Sequence, residues 1–107
     1  MKTFQELLVW QKAHELTLGI YKITREFPQD EKFGIVSQIR RSASSVPSNI
    51  VEGFKRKTRK DFAHFLNIAD ASLEETKYHL ILAKDLEYLG RMDYKRLCDL
   101  CDEVGRM

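Results

Sequence analysis

The residues with the clearest chemical potential lie between positions 40 and 62, in the stretch RRSASSVPSNIVEGFKRKTRKDF. Residues 40–60 hold seven Lys or Arg and one Glu, a net charge of +6, whereas the rest of the chain holds 11 basic and 15 acidic residues. Cations at this density release counterions from a phosphate backbone and bind it with little regard to sequence. The candidate nucleic-acid site comprises Arg40, Arg41, Lys55, Arg56, Lys57, Arg59 and Lys60.

The same charges support a second interpretation, a protein-interaction scaffold in which they pair with an acidic partner or a neighbouring subunit. Phe54 and Phe62 flank the basic run but have the phase of core residues, so stacking on single-stranded bases is not indicated. On a straight helix Arg40 and Arg41 lie about 20 Å from the second group of cations. One continuous patch therefore requires a kink or an adjoining subunit.

The other reactive side chains favour packing over catalysis. Cys98 and Cys101 have the spacing of half a zinc site or a redox pair, but the sequence has no second such pair and no nearby histidine. Glu75 and His79 are four residues apart, which predicts a solvated contact on one helix face. No GxSxG motif or glycine-rich phosphate loop is present. We therefore expect no metal, no cofactor and no enzymatic activity.

The elements that must position these residues are helices. Gly (5) and Pro (2) are scarce in the 107 residues, and apolar residues recur at steps of three and four. Four helices are predicted: Thr3 to Pro28, opened by a Thr3/Glu6 capping box; about 30–55; Thr58 to Gly90, capped by Thr58 and Asp61; and a short one from an Asp93 N-cap. Short connections predict an all-α, up-down-up-down four-helix bundle that forms one domain over residues 1–107.

Pro47 interrupts the second predicted helix, although the apolar phase continues through it. A mid-helix proline removes one hydrogen bond and clashes with the carbonyl four residues earlier. Neighbouring hydroxyls can bond the backbone groups left unpaired, and the candidates are Ser42, Ser44, Ser45 and Ser48. We expect a kinked helix or a break near residues 44–46.

Assembly and location follow from the apolar patterning. Five apolar residues lie off the main helical seams, which favours an exposed patch and a homo-oligomer: Val36, Val51, Phe65, Ile81 and Leu82. No signal peptide is visible, and no apolar run approaches the ~20 residues that span a bilayer. We expect a cytoplasmic protein with reduced thiols and no membrane contact.

Residues in the first three predicted helices carry a family resemblance that spans about residues 4–89. They are Phe4, Leu7, VWQKA (9–13), IY (20–21) and FP (27–28) in the first helix, QIRRSA (38–43) and VPSNIVEG (46–53) in the second, and Phe62, FL (65–66), IA (68–69) and SLEE (72–75) in the third. The chain resembles the bacterial four-helix-bundle family of 23S rRNA intervening-sequence proteins, which is related to accessory proteins of diversity-generating retroelements. The usual alanine after Asn-Ile is Val51 here.

The resemblance implies a kinked second helix and a ring-like homo-oligomer, a pentamer. Related accessory proteins bind nucleic acid and a reverse transcriptase, which suggests RNA, DNA or such an enzyme as partners. Arg40, Arg41, Asn49 and Glu52 belong to the family pattern. With Pro47, the last two form a proposed structural kink, in which they bond the interrupted backbone or bridge to an arginine.

Overall fold

The computed structural model describes residues 2–107, and all regular structure in that range is helical. Four α-helices follow one another: α1 (Leu8–Thr24), α2 (Ile35–Phe54), α3 (Arg59–Asp85) and α4 (Arg91–Arg106). Single 3-10 turns at Phe4–Glu6 and Gln29–Glu31 precede α1 and α2. The predicted all-α class is confirmed.

The helices close into a ring of neighbours. α1 packs on α2, α2 on α3, α3 on α4 and α4 on α1, and the α2–α3 interface is the most extensive. Short connections force consecutive helices to run antiparallel, so the closure is up-down-up-down. The bundle measures 44 × 24 × 18 Å, and its fully buried side chains include Leu16, Ile20, Ile39, Leu80 and Leu97.

The N-terminal boundary differs from the prediction. The Thr3 side chain makes no cap, and the Glu6 carboxylate accepts a hydrogen bond from the Lys2 backbone N–H at 3.2 Å. The predicted capping box is therefore wrong, because a 3-10 turn separates Thr3 from the α-helix. α1 also ends at Thr24, four residues before Pro28.

Of the two predicted ends of α3, the N-terminal cap is confirmed and the C-terminal end is wrong. Thr58 Oγ1 accepts the Asp61 backbone N–H at 3.1 Å, which confirms that cap. The helix ends at Asp85, before the predicted Gly90, because Glu87 adopts a left-handed φ of 64°. Glu87 and Tyr88 donate backbone N–H groups to the carbonyls of Lys84 and Ala83, both at 2.9 Å, in a Schellman motif.

Helix α4 begins earlier than predicted. Gly90 is its N-cap, whereas Asp93 lies within the first turn and accepts a hydrogen bond from Arg96 at 3.2 Å. The carboxylate near the helix N-terminus still interacts favourably with the helix dipole. The predicted Asp93 cap is therefore wrong by one helical turn.

Helix α2 passes through Pro47 without a break, so the predicted alternative of two helices separated near residues 44–46 is wrong. The proline leaves the Ala43 carbonyl without its usual N–H partner. Thr17 Oγ1 of α1 lies 3.1 Å from that oxygen and 2.9 Å from the Ala13 carbonyl oxygen, so its one hydroxyl hydrogen is shared between the two carbonyls. A neighbouring helix thus supplies the donor. The kink itself remains a prediction.

The off-seam apolar residues have different fates. Val36 is buried in the core, Val51, Phe65 and Leu82 are half-buried, and Ile81 is exposed. Other large apolar side chains on the surface include Leu18, Ile68, Tyr78, Phe33 and Met92. The bundle therefore retains apolar surface, although only Ile81 of the five off-seam residues is exposed.

Candidate nucleic-acid interface

The connection between α2 and α3 carries a compact group of cations, here called the basic turn, formed by Lys55, Arg56, Lys57, Arg59 and Lys60. All five side chains are exposed. The turn is tight because Gly53 is buried against α3. A Cβ at Gly53 would lie 3.3 Å from both Phe62 Cδ1 and Phe65 Cβ. The glycine therefore lets the two helices approach closely where the cations project.

Most cations of the basic turn form no ion pair with any residue that the structure describes. Arg56 pairs with Glu52, with Nη2 2.8 Å from Oε2, and its guanidinium lies 4.6 Å from the centre of the Phe65 ring. Within residues 2–107 the four other cations form no ion pair. Four positive charges thus face solvent within six residues.

Two of these cations occupy a position that is unfavourable for the isolated helix. Arg59 and Lys60 are the first residues of α3, where the helix dipole presents its positive end. Only Asp61 supplies a negative charge in that first turn. An anion bound at the turn would relieve this repulsion.

Arg40 belongs to a different environment. Its Nε donates to Thr24 Oγ1 at 2.8 Å, its Nη2 lies 3.4 Å from the Tyr21 carbonyl oxygen, and its guanidinium stacks 4.6 Å from the Tyr21 ring centre. The guanidinium therefore fastens α2 to the end of α1. Arg41, the next residue, is exposed.

The structure does not bring all the predicted site residues together. Because α2 is continuous, Arg41 and Lys55 are separated by 14 residues, or about 21 Å along the axis. The seven candidate residues divide into the basic turn, the exposed Arg41, and Arg40 bound to α1. Only the basic turn forms a local group of cations.

The three proposed kink residues make different contacts. Pro47 is buried in α2, and Asn49 Nδ2 donates to the Ser45 carbonyl at 2.8 Å and to Ser45 Oγ at 3.0 Å. Glu52 holds Arg56. Across the interface, the Ser72 hydroxyl of α3 donates to Ser45 Oγ at 2.9 Å. These contacts link α2 to α3 and to the basic turn.

A buried polar seam that the sequence did not predict continues along the α2–α3 interface. Thr76 Oγ1 lies 2.9 Å from Ser42 Oγ, which lies 3.4 Å from His79 Nδ1. His79 is only 8% exposed, so the predicted solvated contact is wrong. Burial lowers the pKa of His79, and the Glu75 carboxylate, 3.9 Å from Nε2, opposes that shift.

The Ser42, His79 and Glu75 side chains have the residue types of a hydrolytic triad but not its accessibility. Ser42 is 3% exposed, and its hydroxyl donates to the Ile39 carbonyl at 3.2 Å. A nucleophile must reach its substrate. The seam is therefore a packing interface with internally bonded hydroxyls.

Neither cysteine is placed as a reactive thiol. Cys101 is fully buried, and burial raises its pKa to about 12. Cys98 is half-buried, and burial raises its pKa as well. Across residues 2–107, no three His, Cys, Asp or Glu side chains are grouped so as to hold a metal ion.

No helix formed by residues 2–107 has both the length and the apolar character needed to cross a membrane.

Comparisons with known proteins place the chain in a family. A model of the 23S rRNA-intervening sequence protein family matches residues 5–107. A crystal structure from Bacteroides thetaiotaomicron, described as a protein with unknown function from the S23 ribosomal protein family, is similar, with a TM-score of 0.85 and 31% identity. That match covers 92% of this chain and 89% of the other. Among curated proteins, none matches this chain. From its sequence and its fold, the chain belongs to the 23S rRNA-intervening sequence protein family.

Proposed function

We propose that the protein is a non-enzymatic, oligomeric helical bundle that binds RNA or DNA through the basic turn, with little sequence preference. The observation that carries the proposal is the group of four exposed cations, Lys55, Lys57, Arg59 and Lys60, without ion-pair partners in the described chain. A phosphate backbone supplies closely spaced negative charges that match such a group.

The contacts support unequal roles within the proposed site. The four unpaired cations contact phosphates directly, whereas Arg56 is already shared with Glu52 and Phe65. Arg41 is exposed but lies about 21 Å from Lys55 along α2, so it is not part of the same local group of cations. Arg40 contributes to the fold, because its guanidinium is bonded to Thr24.

Oligomerisation would multiply the effect of a small site. Exposed apolar side chains such as Leu18, Ile68 and Tyr78 offer surface for contacts between copies. A ring of five copies, as the family resemblance implies, would display five basic turns. Linked sites bind one long ligand more tightly than a single site does. We propose that this assembly forms in the cytoplasm.

The alternative function is a protein scaffold whose basic turn pairs with an acidic partner, such as an acidic face of a reverse transcriptase, or with a neighbouring subunit. The exposed apolar residues on α3, Ile68, Tyr78 and Ile81, favour it, because protein interfaces use aromatic and aliphatic anchors. A scaffold predicts no binding to nucleic acid alone at any salt concentration.

The test compares two variants with the same change in net charge. One reverses the unpaired cations of the turn: Lys55→Glu, Lys57→Glu, Arg59→Glu and Lys60→Glu. The control reverses four exposed cations elsewhere: Lys22→Glu, Arg25→Glu, Lys32→Glu and Arg91→Glu. Fluorescence anisotropy with labelled RNA and duplex DNA at low salt measures affinity, and circular dichroism verifies that the helices are retained.

The proposal predicts that the turn variant loses affinity by at least about a hundredfold, because several phosphate contacts are replaced by repulsion. The control variant should lose far less. Equal losses would show that net charge alone drives binding and would contradict the proposed site. If the wild-type protein binds neither RNA nor DNA at low salt, the scaffold function is supported.

A further inference from the structure

One side of α1 presents apolar and aromatic side chains to solvent. Four residues at steps of four, four and three share this side, here called the α1 strip: Trp10, His14, Leu18 and Tyr21. His14 is exposed, Leu18 and Tyr21 are 57% and 40% exposed, and Trp10 is half-buried. The strip borders α2, because the Tyr21 ring contacts Arg40 of that helix. It is therefore a second candidate surface, distinct from the basic turn.

The N-terminal part of the α1 strip is a stack of rings. The Phe4 and Trp10 rings meet edge to face, with their centres 5.0 Å apart. The His14 imidazole lies nearly parallel to the Trp10 ring, with the ring centres 4.9 Å apart and an angle of 10° between the planes. His14 is the exposed member at the end of this stack. A further planar group placed on the imidazole would extend the stack into solvent.

The C-terminal part of the strip offers a second planar group. Tyr21 lies seven residues after His14, or about 10 Å along the helix axis. The Arg40 guanidinium is 4.6 Å from the centre of the Tyr21 ring, and its Nε donates to Thr24 Oγ1 at 2.8 Å, which holds the guanidinium in place. Bases of single-stranded nucleic acids stack on aromatic rings and on guanidinium planes. The strip thus presents two stacking positions that are far enough apart for two bases.

The charges around the α1 strip favour an anionic ligand. Helical phase places three cations and no carboxylate on the sides of the described helices α1 and α2 that border the strip: Arg25, Arg40 and Lys55. The adjoining positions carry both signs, namely Lys22, Arg41, Glu15, Glu26 and Glu52, with Glu6 in the turn before α1. Two of these carboxylates have other cationic neighbours, because Glu52 pairs with Arg56 and Glu15 lies 3.8 Å from Lys12. The remaining balance is positive, which suits a polyanion.

The α1 strip is also continuous with the basic turn. Because α1 and α2 are antiparallel, the start of α1 lies beside the end of α2, and the turn at Phe4–Glu6 contacts α2. Lys55, the first cation of the basic turn, follows α2 on the side that borders the strip. A strand whose phosphates contact the basic turn can therefore continue along α1 toward Tyr21.

We propose that the α1 strip binds single-stranded nucleic acid by base stacking, with one base on His14 and another on the Tyr21–Arg40 pair. This inference rests on the proposed function, because the basic turn holds the phosphates of the same strand. Stacking accepts any base, since each base has an aromatic face, and this agrees with binding that has little sequence preference. A duplex, whose bases are already paired and stacked, uses the basic turn alone.

The experiment compares three ligands at one low salt concentration: an oligo-dT strand, an abasic strand of the same length with the same phosphates, and duplex DNA. Fluorescence anisotropy measures their affinities for the full chain. His14→Leu and Tyr21→Leu each remove one stacking ring. Tyr78→Leu is the matched control for Tyr21→Leu, because Tyr78 is an exposed tyrosine of α3 outside the strip. Circular dichroism verifies folding, and light scattering measures the oligomeric mass of each variant.

We expect the wild-type chain to bind oligo-dT about tenfold or more tightly than the abasic strand. His14→Leu and Tyr21→Leu should each reduce that difference severalfold and leave the affinity for the abasic strand unchanged, whereas Tyr78→Leu should preserve both affinities. If Tyr21→Leu does not fold, His14→Leu decides.

Four results would overturn the stacking proposal. Equal affinity for oligo-dT and the abasic strand, or equal losses in the two tyrosine variants, would overturn it and leave the proposed function of the basic turn intact. A lower oligomeric mass of Tyr21→Leu would assign the strip to contacts between copies of the chain. Absence of binding to all three ligands would overturn this proposal and the proposed function together.

Discussion

Arg40 and the basic turn are both positively charged, but Arg40 is bonded to the rest of the chain whereas most of the basic turn is exposed and, among the described residues, unpaired. The Arg40 guanidinium contacts Thr24, the Tyr21 carbonyl and the Tyr21 ring. In the basic turn, Arg56 alone has an anionic partner among residues 2–107. The first arrangement uses positive charge to join two helices, whereas the second leaves it available to other molecules.

The difference shows that positive charge in a sequence indicates binding only where the folded chain leaves it unpaired. A half-buried arginine contacts carbonyls and aromatic rings of the same chain, and these interactions stabilise the fold. Lys57, Arg59 and Lys60 lie in and just after the exposed turn between α2 and α3, where no carboxylate of the described residues pairs with them. Their exposure is the basis of the proposed function.

The first way to break this comparison is to remove Arg40. Arg40→Ala should lower the free energy of unfolding by about 1–2 kcal/mol, because hydrogen bonds to a charged group and a cation–π contact are lost. Arg41→Ala should change it by less than about 0.5 kcal/mol, as is usual for an exposed residue. Urea unfolding measures both, and equal effects would contradict the division of roles.

A second change tests whether α1 supports α2 at Pro47 as well as at Arg40. Thr17→Val removes the hydroxyl that lies 3.1 Å from the Ala43 carbonyl oxygen and leaves that buried acceptor without a donor. The free energy of unfolding should fall by about 1 kcal/mol. Thr17→Ser retains the hydroxyl and should cost less. Thermal unfolding compares the two, and a larger loss for the serine variant would contradict the role of the hydroxyl.

The smallest expected effect is a dependence of stability on pH. The α2–α3 seam contains a buried histidine, whereas the basic turn contains only Lys and Arg. Burial places the pKa of His79 in the folded state below its usual 6.5. The unfolded chain therefore binds more protons as the pH falls through and below 6.5, and stability should decrease there. Glu75 is the charged group that opposes the shift.

The control for this pH effect uses two histidines. His79→Gln should flatten the loss of stability below pH 6.5, whereas His14→Gln, at an exposed position, should leave it in place. Urea unfolding at a series of pH values measures the dependence. A dependence that survives in His79→Gln would assign it to other groups.

The helical bundle was predictable because its core repeats regularly. Residues spaced three and four apart, such as Leu16 and Ile20, share one helix face and are fully buried. The Thr58 cap was predictable because both of its partners lie within one turn of sequence. The Thr3 cap failed because a 3-10 turn, which the pattern does not distinguish, precedes α1.

The interactions that sequence reasoning missed connect residues far apart in the chain. Thr17 and Ala43 meet across α1 and α2, Arg40 reaches Thr24, and His79 faces Ser42. No local pattern encodes these pairs. Two clues were available, since a threonine on an apolar face and a histidine at a core position both require a partner when buried.

The end of α3 was missed for a different reason. Glycine is the usual residue in a left-handed helix stop, so Gly90 was the expected end. Here Glu87 takes that conformation at φ 64°. Its backbone geometry is set by the hydrogen bonds that the Glu87 and Tyr88 N–H groups donate to the carbonyls of Lys84 and Ala83, which act against the preference of the side chain.

The most direct test of the central claim is the salt dependence of nucleic-acid binding. For duplex DNA, four phosphate contacts predict that log K falls with log salt with a slope of about −3 to −4. Lys57→Ala should reduce the magnitude of that slope by about 1, whereas Arg40→Ala should leave it unchanged. A slope near zero, or an equal reduction in both variants, would contradict the assignment of binding to the basic turn.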